Sequence, residues 1–271
     1  MTDPSAVGEP ALKLDSSVPH SARIWNYWLG GKDNFAVDRE VGEQIRQINP
    51  AIVDIARADR AFLGRAVRHV VGEAGIRQLL DIGTGLPTAD NTHEVAQRVA
   101  PESKIVYVDN DPLVLVHARA LLTSTPEGEC DYIAADVHDP ETILREASRT
   151  LDFGQPVALV MLAIIQFIMD DTQADAVVKR LVDAVPSGSY LVISHATNEV
   201  NTEVMDAHLA HWNAHGTPKF CYRTRKQITR YNEDNSLELL EPGAVFLPFW
   251  RPDPGDEPVP MDGICAVGRK P

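Results

Sequence analysis

Three carboxylates follow three apolar runs in this chain. Asp81 lies near the end of QLLDI, Asp109 ends KIVYVD, and Asp136 follows YIAA. Gly83 and Gly85 stand just after the first acid, in DIGTG. Glycines there let a backbone turn tightly and come close to a ligand. A following helix would aim its free N–H groups at the same place. Asp109, 24 residues after Gly85, is placed to accept hydrogen bonds from both ribose hydroxyls, and it would repel a ribose 2′-phosphate. Asp136 can accept from an exocyclic adenine amine, with the Val137 N–H facing a ring nitrogen. Asp81 favours a ligand with a positive charge, such as an ammonium. Thr84, between the glycines, and Asn110, after the second acid, complete the candidate cofactor-binding set.

These residues need a sheet to align them. Predicted strands cover 78–82, 104–108, 132–135, 157–163 and 190–194, and predicted helices cover 90–100, 113–123, 141–150 and 171–185. Strands apolar throughout are buried on both faces, and their alternation with helices gives an α/β, doubly wound, mostly parallel sheet. Its ligand then lies beyond the carboxyl ends of the strands, at the switch point. Further helices are expected from about 200 to 214 and over 224–231, then strands at 237–240, 245–249 and 264–267, the last two joined without a helix, as an antiparallel hairpin allows.

Ahead of the sheet, residues 1–20 read as a flexible tail and 21–75 as a helical cap, with 76–271 as the core. Ser21 is expected to cap a first helix ending at Gly30-Gly31, Asp33 or Asn34 a second over 36–48, and a third runs over 51–74 with Ile52, Ile55, Phe62, Ala66 and Val70 on one face.

The nucleoside can be narrowed. A dinucleotide fingerprint needs a third glycine where this chain has Thr88, and Pro87 lacks an N–H for a pyrophosphate. S-adenosylmethionine has no phosphate and carries an ammonium, a sulfonium, a ribose and an adenine, which suits acids at 81, 109 and 136. An NAD-linked oxidoreductase and a non-catalytic S-adenosylmethionine sensor are the competing readings.

Bulk properties exclude other classes. Among 271 residues, 25 basic and 39 acidic side chains give a net charge of −14, which repels nucleic-acid backbones. No basic-then-apolar leader opens the chain, and the longest apolar run, 157–168, is too short to span a bilayer. Cys130, Cys221 and Cys265 show no metal or redox spacing, which fits a reducing cytoplasm. A small-molecule acceptor is therefore expected, with no nucleic-acid or membrane partner.

DIGTG, VYVDNDP and AADVHDP resemble the first three motifs of class I S-adenosylmethionine-dependent methyltransferases. SARIWNYWLGGKDNFAVDRE, LDIGTGLPT, GSYLVISHAT and FWRPD resemble a bacterial S-adenosyl methyltransferase family long classed as a domain of unknown function, over about residues 18–270. The resemblance implies a Rossmann-like sheet of seven strands with the last antiparallel. It also implies that Asp81, Gly83 and Gly85 line the methionine part, Asp109 the ribose, and Asp136 with Val137 the adenine. The chain departs from the pattern at Pro87, where the methyltransferase loop has a third glycine, and at Gln166, where many relatives have a histidine.

Methyl transfer from a sulfonium is an in-line displacement that needs alignment and exclusion of water, and a base only if the acceptor arrives protonated. His195, just past the fifth strand, is the base candidate by position. Gln166 could orient a substrate or cap the next helix. Arg23, Tyr27 and Lys32 crowd the first helix and its exit, where they could form a lid or meet the cofactor carboxylate, and Arg60 shares that ambiguity with a surface role. His208, His211 and His215 fall on one helix face, but three ligands from one helix rarely close a zinc site, and no metal is expected.

Overall fold

The structure, a computed structural model, describes residues 15–121 and 123–271. Most of the expected tail, residues 1–14, lies outside the described residues. Strands β1 (Gln78–Ile82), β2 (Lys104–Asp109), β3 (Glu129–Ala134), β4 (Ala158–Leu162) and β5 (Tyr190–Ala196) pair in parallel in the order 3-2-1-4-5. β8 (Gly263–Arg269) runs antiparallel to β5, with Ser194 opposite Cys265. The switch point is β1, flanked by β2 and β4.

The eight strands found among the described residues fill seven ranks. β6 (Glu238–Leu239) and β7 (Val245–Phe246) are two residues each and share the edge of β8 that β5 leaves open. β3 begins at Glu129 rather than at 132. It is an edge strand whose outer residues stay half-exposed, so Glu-Cys-Asp needs no apolar signature.

Alternation along the strands divides the core. Leu79, Ile105, Tyr107, Val160 and Val192 face one side, with Phe62, Leu63 and Val95; Leu80, Val106, Val108, Met161 and Ile193 face the other, with Ile143, Val178 and Ile228. Helices α4 (Thr92–Val99), α5 (Pro112–Leu121), α6 (Pro140–Ala147), α7 (Asp171–Asp183), α8 (Thr202–His215) and α9 (Arg225–Glu233) follow the sheet connections.

Three helices precede β1: α1 (Ser21–Trp28), α2 (Ala36–Ile48) and α3 (Ile52–Arg68). Ser21 is the first helical residue and not the cap. The α2 entrance is held by Asp38, whose Oδ2 accepts the Phe35 N–H at 2.8 Å, and not by Asp33 or Asn34. α3 ends in a wide π turn, His69–Glu73, with Val70 and Val71 both buried. A further apolar cluster joins Ile24 and Trp28 of α1, Val41 and Ile45 of α2, Ile52 and Ala56 of α3, and Trp212 of α8 with Phe220.

Buried arginines fasten distant segments. Arg65 of α3 donates to the Trp250 and Leu247 carbonyls at 2.9 and 2.8 Å, so the C-terminal FWRPD stretch is anchored to the third helix. No helix among the described residues is long and apolar enough to cross a membrane.

Candidate functional site

A cavity opens over the carboxyl ends of β1, β2 and β4. Its wall includes Asp81, Gly83, Thr84 and Gly85 from β1 and its loop, Asp109 and Asn110 from β2, and Asp136 and Val137 after β3. The three acids that the sequence singled out are therefore brought together with the glycine loop.

The loop is built by its own hydrogen bonds. Gly83 and Gly85 hold φ of +77° and +68°, which glycine adopts without a side-chain penalty. A Cβ on Gly83 would lie 2.5 Å from Ile164 Cγ1, whereas one on Gly85 would meet nothing within 4 Å. The Gly83 and Thr84 N–H groups donate to the Val108 carbonyl at 2.8 and 3.2 Å. Gly85 N–H donates to Asp109 Oδ2 at 2.8 Å, and Thr88 N–H to Asn91 Oδ1 at 3.0 Å. Four N–H groups of the loop are thus already used inside the chain and not free to cradle a phosphate.

The acids differ in their surroundings. Asp81 Oδ2 accepts from Thr92 Oγ1 at 2.5 Å, and burial pushes its carboxyl up to about 6. Burial also raises Asp109, against the hydrogen bonds from Asp111 N–H and Gly85 N–H. Asp136 is half-exposed. Its partial burial is outweighed by hydrogen bonds from the His138 N–H, the His138 ring and Asn110 Nδ2, which hold it below the usual carboxylate range.

α1 covers the cavity with Ser21, Ala22, Trp25 and Asn26, joined by its C-cap Leu29. Asn26 is also a latch. Its Oδ1 accepts the Asp33 N–H at 3.0 Å and Asn34 Nδ2 at 2.8 Å, and its amide occupies the space a Cβ on Gly31 would need, which accounts for GGKDN. Arg23 points elsewhere. It is buried with its Nε 3.2 Å from Asp111 Oδ2 and its Nη1 3.7 Å from Asp38 Oδ2. Tyr27 donates to Glu43 Oε2 at 3.0 Å, and Lys32 is exposed; neither borders the cavity. Arg60 does border it, and its Nη2 donates to the Asp90 carbonyl at 2.9 Å.

His195 and Gln166 are both turned away from the cavity. His195 Nδ1 lies 2.7 Å from the Ala196 carbonyl and its Nε2 3.1 Å from Arg223 Nη1, so the ring donates through one nitrogen and accepts through the other. Burial lowers it to about 3, and the nearby guanidinium adds to that. Gln166 Oε1 accepts the Ala196 N–H at 3.2 Å, and the N-cap of α7 is Asp170. His208 packs among Trp28, Trp212 and Phe220, while His211 lies 3.0 Å from Gln44 Oε1. No cluster of metal-ligating side chains occurs among the described residues.

The sequence reading missed Asp59, which borders the same cavity from α3. Its Oδ1 accepts from Ser194 Oγ at 2.5 Å, and burial pushes its carboxyl up to about 6. The signal was available. Asp59 falls in the apolar stripe of α3, four residues after Ile55 and three before Phe62, where a charged side chain is out of place.

A parallel sheet with one antiparallel strand, a glycine turn after β1 and acids at the ends of β1 and β2 define a Rossmann-like methyltransferase fold. The chain belongs to the S-adenosyl methyltransferase family, whose sequence model matches residues 8–271. It is therefore a methyltransferase, and its cofactor is S-adenosylmethionine. A DUF574 family protein from Streptomyces avermitilis MA-4680 is 44% identical, with 96% of this chain and 100% of that one covered and a TM-score of 0.90. A protein from Thermobifida fusca YX, provisionally described as a methyltransferase, is 37% identical over 94% and 96% of the two chains, with a TM-score of 0.85. A search of curated proteins gave no match.

Proposed function

We propose that this chain methylates a small-molecule acceptor bound beside the cofactor in the cavity over β1, β2 and β4. The observation that carries the reading is the spent loop. With Gly83, Thr84, Gly85 and Thr88 N–H groups bonded to Val108, Asp109 and Asn91, the loop has little left to offer a pyrophosphate, while Asp59, Asp81 and Asp109 favour positive charge. The acids and the open face of Gly85 suit the cofactor, and a dinucleotide would meet repulsion instead.

In this reading Asp81, Gly83, Thr84 and Gly85 hold the methionine end, Asp109 and Asn110 the ribose, and Asp136 with Val137 the adenine. When bound, S-adenosylmethionine supplies a methyl group on a cationic sulfur. The chain contributes alignment and dryness. Trp25, Leu29, Leu63, Leu162, Ile164 and Phe167 give the cavity an apolar wall that excludes water from the reacting atoms. α1 and α2 act as a cover, the role proposed for the cap. His195 serves in this account as a brace between the end of β5 and Arg223.

Support for a small acceptor comes from the cavity's placement beneath α1 and from the acidic surface, which disfavours nucleic acid. Calorimetric titration with S-adenosylhomocysteine and with NADH tests the cofactor assignment, and tight binding of NADH alone overturns it. Incubation with methyl-labelled S-adenosylmethionine and a metabolite extract, fractionated by size, tests the acceptor. Label confined to macromolecules would sink the small-molecule reading.

A further inference from the structure

We propose that Asp59 is an ammonium-binding carboxylate of the cavity, receiving a protonated amine through its Oδ2. The inference rests on the cofactor reading above and goes beyond it to a residue outside the strand-end motifs. Asp59 is only 6% exposed. Its Oδ1 is committed to Ser194 Oγ, and that hydroxyl in turn accepts the Ala163 N–H at 3.0 Å. The acid is thus clamped to the ends of β4 and β5, at the point where Ala163 takes a φ of +48°. Among the described residues only the Ser194 hydroxyl hydrogen-bonds this carboxylate, and its side chain borders the cavity with Leu63, Leu162 and Ala163.

With Oδ1 held by Ser194, the second oxygen has no donor among the described residues, so water in the cavity or a ligand must supply one. The cation nearest in sequence, Arg60, spends its Nη2 on the Ala89 and Asp90 carbonyls. Asp81 faces the same cavity and disfavours a second negative charge there. An anionic ligand is repelled, and a neutral hydroxyl leaves the charge uncompensated. A protonated amine brings three donors and one positive charge. Two sources share this chemistry: the α-ammonium of the cofactor, and an amine on the acceptor whose body would lie against Trp25, Leu29 and Phe167.

The test is Asp59→Asn, which keeps an acceptor for Ser194, with folding checked by thermal melting. Calorimetry at pH 7.5 uses S-adenosylhomocysteine and 5′-methylthioadenosine, which has the adenine, ribose and thioether but no amino-acid tail. If Asp59 holds the cofactor ammonium, the variant binds S-adenosylhomocysteine at least about tenfold more weakly and 5′-methylthioadenosine unchanged. If it holds an acceptor amine, both stay unchanged, while phenethylamine binds the wild-type complex with S-adenosylhomocysteine, phenethyl alcohol does not, and the variant loses the amine by at least about tenfold. Equal weakening of both nucleosides, or no change in either nucleoside or in amine binding, overturns the proposal. Failure of the wild-type protein to bind S-adenosylhomocysteine would instead strike the cofactor reading itself.

Discussion

Asp109 does two jobs with one side chain. Both of its oxygens accept backbone N–H groups, from Gly85 and Asp111, so it shapes the loop before any ligand arrives. Asp109→Ala should therefore weaken cofactor binding by about 1–3 kcal/mol and also lower the melting temperature; unchanged calorimetric affinity would place the ribose elsewhere. Asp59 carries a pH signature. Its carboxyl, raised to about 6 by burial, is faced by Arg60 on its own helix, Asp81 from β1, Ser194 from β5 and Cys265 from β8. A folded-state value above the unfolded one favours the protonated acid. That contribution is full below about pH 4 and is lost as pH rises through 6. Asp59→Asn should thus be more stable than wild type at pH 7.5, by up to about 3 kcal/mol, with the gap closing towards pH 4. Denaturant melts at both pH values check this, and a constant gap would refute it. Asp81, Asp109 and Asp136 were legible because strand ends advertise themselves. Asp59 was not, because a helix stripe is read for its apolar members. His195 stood at the right place in sequence, and only its burial against Arg223 removes it from the cavity.

At the scale of elements, the loop between β1 and α4 separates two costs of a glycine. Gly83→Ala adds a left-handed backbone penalty and a contact with Ile164, while Gly85→Ala adds the backbone penalty alone. The first should destabilise by about 1–3 kcal/mol. The second should cost less, and the difference should appear in denaturant midpoints; equal shifts would mean that Ile164 moves freely. The strand and helix order was readable from apolar runs and their spacing. The details that escaped were those set by neighbours. The polar start of β3 is tolerated because only one strand flanks it. The α2 entrance uses Asp38 reaching back to Phe35 where Asp33 and Asn34 stood closer to hand. The shared edge of β8 splits one rank into β6 and β7, which no local pattern announces.

For the molecule as a whole, the helices ahead of the sheet and the segment after it interlock. α1 and α2 bury Ile24, Trp28 and Ile45 against Trp212 and Phe220, and α1 with its C-cap Leu29 also supplies Trp25, Asn26 and Leu29 to the cavity wall. Removing residues 1–48 should abolish binding of S-adenosylhomocysteine and expose Trp212 and Phe220 to a hydrophobic dye. Retained calorimetric affinity would show that the first two helices are dispensable to the site. Arg23 ties this cover to the sheet through Asp111, two residues beyond Asp109, and to α2 through Asp38. Charges buried together are costly to part, because each must then stand without its partner. If the cover must open before the spent nucleoside leaves, that cost slows its escape. In stopped-flow displacement followed by intrinsic tryptophan fluorescence, Arg23→Lys should shorten the dwell time of S-adenosylhomocysteine several-fold, since an ammonium cannot span both acids. An unaltered dwell time would mean that the door swings on some other hinge.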